Sequence, residues 1–572
     1  MSRRRRPTTS VSGESRAADR VKLGQMELDQ RVCDRARRSR DARFDGRFFI
    51  GVTSTRVYCR PICPARAPKD EHVRYFPSAA AAEAAGFRPC LRCRPEASPG
   101  TPAWLGTSGL VSRALRLISE GAVRGPEGHG HVRDSADTDA GVEALADRLG
   151  VTGRHLRRLF LQHLGATPLE VALTRRTHFA KKLIDETTLA MREVALAAGF
   201  RSLRRFNSQV RRIHRRTPTE LRRLARQHAV ADPECYRLRL AYRPPYDWDA
   251  VLDFLSARAT PGVEQVEDGH YRRTIQVDGK HGAIDVFRPG SGAVHALHLH
   301  VRVPDPRALL RIVERVRGVF DLGADPAAIA DHFRADPLLR GPLARHPGIR
   351  TPGAWDGFEL AVRAILGQQI SVRAATTIAG RIASMFGSPA PEGRGAACGV
   401  RDALDRLFPT PAQLASAEVE RAGVMPARAE TIRSLARHAA NGSIAFGSCA
   451  DASATVSALE ALPGIGDWTA QYIAMRALGE PDAFPSGDLV LRRAAGNCSA
   501  RELDRRSQAW RPWRAYAVML LWRGAIDHDH DEKPRRRTKH EQPQISNRRI
   551  RRRRAARGVA LRPAAHIEPV EG

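Results

Sequence analysis

The pattern of apolar and polar positions repeats once between residues 141 and 218. Apolar residues recur at helical spacing in Leu145–Val151 and again in Val194–Phe200, and a glycine interrupts each stretch. An arginine-rich stretch follows each glycine, at 153–163 and at 202–213. A short glycine turn between two helices is typical of a helix-turn-helix. The pattern therefore predicts two such units, whose second helices would enter the major groove of DNA.

These second helices carry the side-chain types that contact DNA. Arginine binds guanine or phosphate, and asparagine binds adenine. The expected contacts are Arg154, Arg157, Arg204 and Asn207. An amphipathic helical bundle with a solvated basic face would show the same periodicity. The run GFRSLRRFNSQVRRIHRRTP (199–218) resembles the AraC-type DNA-binding domain, which implies an all-α double helix-turn-helix over 141–228 that binds promoter DNA.

The pattern changes after residue 234. Tyr271–Val277 alternates between apolar and polar positions, which predicts a strand within an α+β subdomain at 234–345. From 346 to 526 the pattern is helical. No stretch approaches the roughly 18 apolar residues of a membrane span, and no apolar signal segment follows the basic start. We therefore expect a cytoplasmic, nucleoid-associated protein without a membrane partner.

The charge is concentrated in a few segments. The 572 residues contain 94 Lys+Arg and 62 Asp+Glu, a formal net charge of +32. Residues 1–40, 141–226 and 533–557 carry nearly all of the excess, which indicates a polyanionic partner. We expect a disordered basic arm at 1–30, a linker at 101–140 and a disordered basic tail at 527–572. Each terminal segment either attracts phosphate or is solvated without a role.

Two short cysteine pairs predict a metal site. CRPIC (59–63) and CLRC (90–93) can close a tetrahedral thiolate cage around Zn²⁺. Thiolates of such a cage are electron-rich, so one of the four could act as a nucleophile without a separate base. The spacing does not identify which one.

The sequence around these pairs resembles a known family. FDGRFFIGVTSTRVYCRPICPAR (44–66) and AAEAAGFRPCLRCRPE (81–96) are similar to the methylphosphotriester-acceptor domain of the Ada protein. The resemblance implies a small α+β zinc domain at 31–100, in which Cys59 takes a methyl group from a DNA phosphotriester in a single turnover. It also implies that Cys63, Cys90 and Cys93 are the other zinc ligands and that Thr55, Arg66 and Arg88 contact phosphate. Methylation would make the formally dianionic site monoanionic, so repulsion from DNA would fall.

The second half contains a glycine hairpin followed by an acidic residue. Two glycines in Leu462-Pro-Gly-Ile-Gly466 permit a tight turn with outward N–H groups that can hold a phosphate. Asp488 follows within DAFPSGDLVLRR, and Trp468 and Tyr472 lie between. By itself, a single aspartate is usually a helix cap or a surface charge, and aromatics at helical spacing are more often core.

This region resembles the AlkA-type 3-methyladenine DNA glycosylase II of the helix-hairpin-helix superfamily. The similar segments are PPYDW (244–248), FELAVRAILGQQIS (358–371) and RPWRAYAVMLLW (511–522), together with the hairpin. The resemblance implies excision of alkylated purines such as 3-methyladenine and 7-methylguanine from double-stranded DNA, with Asp488 as the catalytic carboxylate. The implied base pocket is Trp468, Tyr472 and Trp522, and the implied DNA contacts are Gln369, Leu462, Gly464 and Gly466.

Residues and motifs that this sequence lacks narrow the reactions that we expect of it. Superfamily members that also cleave the backbone place a lysine where this chain has Trp468, so we expect a monofunctional hydrolytic enzyme. Only Cys498 lies where relatives carry an iron–sulfur loop, and no second alkyl-acceptor motif of the PCHR type occurs. The expectation is a multidomain alkylation-repair protein that also regulates transcription, with RNA polymerase as a further partner. The alternative is a methylation-triggered regulator whose glycosylase half only senses lesions.

Overall fold

The computed structural model describes residues 29–100, 109–119, 135–225, 235–290, 295–390, 404–447 and 451–537. Most of the predicted basic arm, and the predicted tail beyond 537, lie outside these residues. No helix among them is long and apolar enough to cross a membrane.

The cysteine-rich region forms a small sheet with two helices. The strands have the order β3-β1-β2-β4, with β2 and β4 parallel and the other pairs antiparallel. Its elements are α1 (Gln30–Ser39), β1 (Phe49–Val52), β2 (Val57–Cys59), β3 (Val73–Phe76), α2 (Ala79–Ala84) and β4 (Arg88–Pro89). Two small clusters, one around Phe48 and one around Tyr58, are its apolar core.

The next region is all helical. Its helices are α3 (Gly109–Ser119), α4 (Ser135–Arg148), α5 (Gly153–Leu164), α6 (Pro168–Glu186), α7 (Met191–Ala197), α8 (Leu203–His214) and α9 (Pro218–Leu224). α5 and α8 confirm the two predicted second helices. Thr167 and Thr217 begin α6 and α9 with capping boxes and a following proline, which explains why the repeat ends twice at Thr-Pro.

The predicted linker at 101–140 is wrong in part. α3 lies within it, and its Val111 and Leu117 are fully buried against Leu156 and Phe160 of α5. α4 also begins at Ser135, before the predicted boundary. The polar residues between these helices concealed an amphipathic helix of three turns.

A five-stranded antiparallel sheet of order β5-β9-β8-β7-β6 follows. Its elements are β5 (Cys235–Ala241), α10 (Trp248–Ser256), β6 (Glu264–Glu267), β7 (His270–Val277), β8 (Lys280–Phe287), β9 (Ala296–Arg302) and α11 (Leu309–Val319). β7 contains the strand predicted from alternation. One buried cluster includes Leu238 and Val286 of this sheet together with Leu183 and Phe206 of the helical region. The sheet and the second helix-turn-helix therefore share a core.

The remaining described residues are helical. They are α12 (Pro326–Phe333), α13 (Arg340–Arg345), α14 (Gly357–Leu366), α15 (Val372–Phe386), α16 (Pro411–Leu414), α17 (Pro426–Ala440), α18 (Ala452–Glu460), α19 (Asp467–Arg476), α20 (Leu489–Ala494), α21 (Ala500–Ser507) and α22 (Arg514–Arg537). α22 continues past residue 527, so the predicted start of a disordered tail at that position is wrong.

Candidate metal centre and DNA-lesion pocket

The four predicted cysteine ligands converge. Cys59 ends β2 and Cys90 follows β4, and the parallel pairing of these strands aligns Tyr58 with Pro89. The turns that follow bring in Cys63 and Cys93, so that all four sulfur atoms lie within 4.8 Å of one another. Four converging thiolates are a donor set for tetrahedral Zn²⁺.

The four cysteines fall into two pairs that differ in solvent exposure. Cys90 and Cys93 are buried, whereas Cys59 and Cys63 are half-buried. Arg60 supports the inner side, because its backbone N–H lies 3.4 Å from Cys93 Sγ and its Nη1 donates to the Cys93 carbonyl at 3.0 Å. Its guanidinium also forms a buried ion pair with Asp45. This arrangement holds the Cys93 side of the cage, whereas Cys59 and Cys63 lie on its more exposed side.

Of the three predicted phosphate contacts, one lies on a strand of the small sheet, one in a turn and one in the loop after β2. Thr55 is exposed in the turn between β1 and β2, and Arg66 is exposed three residues beyond Cys63. Arg88 is half-buried on β4, opposite Val57 of β2. The pairing of β2 with β4 thus places Arg88 beside the strand that ends at Cys59.

The predicted base-reading residues lie on α5 and α8. Arg154, Arg204 and Asn207 are exposed. Arg157 is half-buried, and its Nη1 pairs with Glu143 of α4 at 3.1 Å. Arg157 therefore also joins the two helices of its own unit.

The glycine hairpin connects α18 to α19. Gly464 has a φ of +88°, and a Cβ atom there would lie 2.3 Å from Thr431 Oγ1, so only glycine fits. Gly466 caps α19, and a Cβ atom there would meet open space. The Leu462 side chain is buried in the core and fixes the hairpin, so its predicted contact with DNA is limited to its backbone.

A second loop is fastened to this hairpin. Gln368 Nε2 donates to the Gly464 carbonyl at 2.9 Å and to Thr469 Oγ1 at 3.0 Å. Gln369, one of the predicted DNA contacts, is exposed next to it with a φ of +57°. A positive φ at a non-glycine residue is uncommon and occurs often at functional sites. Gln368 was missed in the sequence because its role depends on this tertiary contact.

Asp488 is held from three directions. It caps α20, where its Oδ1 accepts from the Leu491 N–H at 2.9 Å. Oδ1 also accepts from Trp522 Nε1 at 3.2 Å, and Oδ2 accepts from Trp468 Nε1 at 3.0 Å. Asp488 is thus a helix cap, as a single aspartate often is. The two indoles also fix its carboxylate beside the other predicted pocket residues.

The three predicted pocket aromatics meet around this carboxylate. Trp468 and Tyr472 are stacked with centroids 5.5 Å apart and planes 8° apart, and Tyr472 lies 6.3 Å from Trp522. Tyr472 and Trp522 also pack against the apolar core. The core interpretation therefore also applies in part to these two residues.

A fourth aromatic residue, which no sequence pattern indicated, lies beside these three. Phe254 of α10 lies parallel to Trp522, with centroids 6.4 Å apart. The guanidinium carbons of Arg258 and Arg476 lie 3.9 and 4.7 Å from the centre of its ring. Phe254 resembles any apolar position of an amphipathic helix, so no local signal could have found it.

Comparison with known proteins agrees with this geometry. Family models match as follows: the metal binding domain of Ada at 32–96, a helix-turn-helix domain at 145–224, the AlkA N-terminal domain at 237–356 and the HhH-GPD superfamily base excision DNA repair protein at 362–511.

Three curated relatives cover different parts of the chain. A probable bifunctional transcriptional activator/DNA repair enzyme AlkA of Mycobacterium tuberculosis is 43% identical over 87% of this chain and 97% of its own length. DNA-3-methyladenine glycosylase 2 of Escherichia coli is 31% identical over 50% of this chain and 95% of its own. The bifunctional transcriptional activator/DNA repair enzyme Ada of Escherichia coli is 35% identical over 23% of this chain and 31% of its own.

The fold and its two sites define a DNA-binding protein that combines an Ada-type zinc centre, a helix-turn-helix region and a helix-hairpin-helix glycosylase. The match with the Mycobacterium tuberculosis relative runs through all three parts. The chain belongs to the family of bifunctional transcriptional activator/DNA repair enzymes AlkA.

Proposed function

We propose that this protein excises alkylated purines such as 3-methyladenine and 7-methylguanine from double-stranded DNA by hydrolysing the N-glycosidic bond. The observation that carries this proposal is the Asp488 carboxylate, fixed by the indoles of Trp468 and Trp522 beside a half-buried aromatic pocket. In the same chain, Cys59 accepts methyl groups from DNA phosphotriesters and the helix-turn-helix units bind promoter DNA.

The glycosylase chemistry follows from the charge of Asp488. Cleavage of the bond to the base develops positive charge on the sugar, which a nearby carboxylate stabilises while it orients the attacking water. An alkylated purine is a good leaving group because it is already cationic. Aromatic faces attract such a cation by about 0.5–2 kcal/mol, so Trp468, Tyr472 and Trp522 recognise the base.

Access to the base requires that it leave the duplex. The hairpin at Gly464 and Gly466 holds a backbone phosphate through its N–H groups, and Gln369 fills the gap that the flipped base leaves. Two observations support this role: the positive φ of Gln369, and the hydrogen bond that the neighbouring Gln368 donates to the Gly464 carbonyl of the hairpin. In this proposal, the catalytic region holds DNA mainly through backbone N–H groups of the hairpin and through Gln369.

The proposed reaction stops at the abasic site. Strand cleavage through a Schiff base needs an amine, and Trp468 occupies the position where lyases of the superfamily carry lysine. We expect base release to leave an intact strand with an alkali-labile site, and borohydride to trap no protein–DNA adduct. Gel analysis of a duplex with a single alkylated purine measures both, and a trapped adduct would contradict the monofunctional assignment.

The zinc domain is proposed to act once per molecule. The four cysteines would hold Zn²⁺, which would keep the sulfurs deprotonated and nucleophilic at neutral pH. Cys59 Sγ attacks the methyl carbon of the phosphotriester, and the C–O bond breaks so that its electron pair leaves with the phosphodiester. The resulting thioether carries no charge, which lowers repulsion from DNA and promotes promoter binding and recruitment of RNA polymerase at the nucleoid.

Mass spectrometry tests the choice of nucleophile. After exposure to methylated DNA, we expect the peptide that contains Cys59 to gain the mass of one CH₂ group, because Cys59 is more exposed than Cys90 and Cys93. Cys63 is the matched control, since it is half-buried in the same cluster. An adduct on Cys63 instead would refute the choice of Cys59, which rests on the family resemblance because these two cysteines are similarly exposed.

A further inference from the structure

The base pocket contains a buried cation without a carboxylate partner among the described residues. Arg476 is 3% exposed, and its three nitrogens donate to the carbonyls of Pro352 and Gly353 and to Tyr472 Oη, the last at 2.8 Å. Buried guanidinium groups are normally paired with carboxylates. Tyr472 is the one group in contact with Arg476 here that can become an anion.

The other charges around Tyr472 are also mainly positive. Arg258, after α10, lies against Phe254 and donates to its carbonyl. Arg363 of α14 is neutralised by Glu264 and Glu359, which accept from its Nη1 at 2.8 and 3.1 Å. Asp488 is the nearby negative group, and it is held by the indoles of Trp468 and Trp522, which both contact the Tyr472 ring.

The cluster of Arg476, Arg258 and Arg363 is unfavourable for the proposed substrate unless negative charge beyond that of Asp488 compensates for it. A purine alkylated at N3 is a cation, and like charges that are partly buried at close range repel each other strongly. Burial raises the pKa of Tyr472, but the guanidinium groups of Arg476, Arg258 and Arg363 lower it more, to about 8. The phenol can therefore lose its proton to water near neutral pH.

We propose that Tyr472, ionised against Arg476, supplies a second negative charge, in addition to Asp488, that holds the cationic base in the pocket. This inference rests on the proposed glycosylase function and deepens it. The tyrosinate ring lies parallel to Trp468, so its electron density also adds to the face that the base contacts. Arg476 is then a positioning residue, which acts only through Tyr472.

The sign of the pH dependence follows from this assignment. The anion is scarce below the pKa of Tyr472 and predominates above it, so release of 3-methyladenine by the full-length protein should rise about tenfold between about pH 7 and about pH 9. The Tyr472→Phe variant keeps the ring but cannot ionise. Its single-turnover rate should match the low-pH rate of the wild type at every pH, after subtraction of the release without enzyme.

Two further measurements separate this role from a structural one. Ultraviolet difference titration of wild type against Tyr472→Phe should show one tyrosine that ionises near pH 8. Arg476→Lys should keep the rise in rate, because a cation remains beside the phenol, whereas Arg476→Met should move it to higher pH. If Tyr472→Phe lowers the rate equally at all pH values, the ionisation proposal is wrong and the glycosylase function stands. If the wild type releases no base at any pH, the proposed function itself fails.

Discussion

Replacing Asp488 by asparagine is expected to slow release of 7-methylguanine by about a hundredfold to a thousandfold, the effect of removing a preorganised electrostatic group. The amide carries no negative charge to stabilise the sugar cation. In addition, its NH₂ group cannot accept from an indole N–H, so one of the bonds to Trp468 and Trp522 is lost. Single-turnover base release from a duplex with a defined lesion measures the effect.

A control must separate this loss from loss of folding. Asp331→Asn removes the same charge from an exposed position of α12, where the carboxylate pairs only with Arg334 among the described residues. We expect wild-type rates from Asp331→Asn, and similar circular dichroism from both variants. Undiminished release by Asp488→Asn would favour the alternative, a regulator whose glycosylase half senses lesions without excising them.

Replacing Cys93 by serine is expected to abolish zinc binding and unfold the region around residues 31–100. Structural zinc contributes roughly 10–16 kcal/mol to the folding of small metal-binding modules. The strands here have only two to four residues, and the two apolar clusters are small. Such a core cannot replace the metal.

Cys498→Ser is the matched control for zinc. Cys498 is a half-buried cysteine in the glycosylase region, remote in sequence from the cluster. We expect bound zinc, measured by atomic emission, to be near one per chain in the wild type and in Cys498→Ser but close to zero in Cys93→Ser. Protease cleavage within 31–100 should increase only in Cys93→Ser. Equal zinc contents in the three proteins would refute the four-cysteine site.

The structure also joins the zinc region to the helix-turn-helix region. Tyr58, adjacent to Cys59, donates to Glu83 at 2.8 Å, and the buried Glu83 also contacts Thr174 and His178 of α6. α6 is the long helix that connects the two helix-turn-helix units. Buried hydrogen bonds therefore connect the residue next to Cys59 with the helix between the two helix-turn-helix units.

A buried ion pair and a hydrogen bond also join the zinc and helix-turn-helix regions to the glycosylase half. Arg47 of the zinc region and Asp325, which caps α12, form an ion pair at 3.1 Å in which both side chains are buried. Lys182 of α6 donates to the Arg239 carbonyl of β5. Because the second helix-turn-helix and the five-stranded sheet share a core, we infer that the domain boundary predicted near 228–234 separates functions rather than independent folding units.

The sequence alone determined the features that depend on local spacing. The periodicity of 141–218 predicted α5 and α8 almost to the residue, because amphipathic helices and glycine turns leave a regular pattern. The spacing of the cysteines predicted a cluster that strand pairing then assembled. Resemblance to known families, rather than pattern, assigned roles to Asp488 and the pocket aromatics.

Only the tertiary structure decided which distant residues share the sites. Phe254 faces Trp522, Arg476 faces Tyr472 and Gln368 fastens the loop of Gln369 to the hairpin, yet each looks ordinary in its own segment. The helix at Gly109–Ser119 was likewise hidden, because its short apolar face has meaning only against α5. Periodicity reports which face of an element is buried, whereas the partner of that face depends on how whole elements pack.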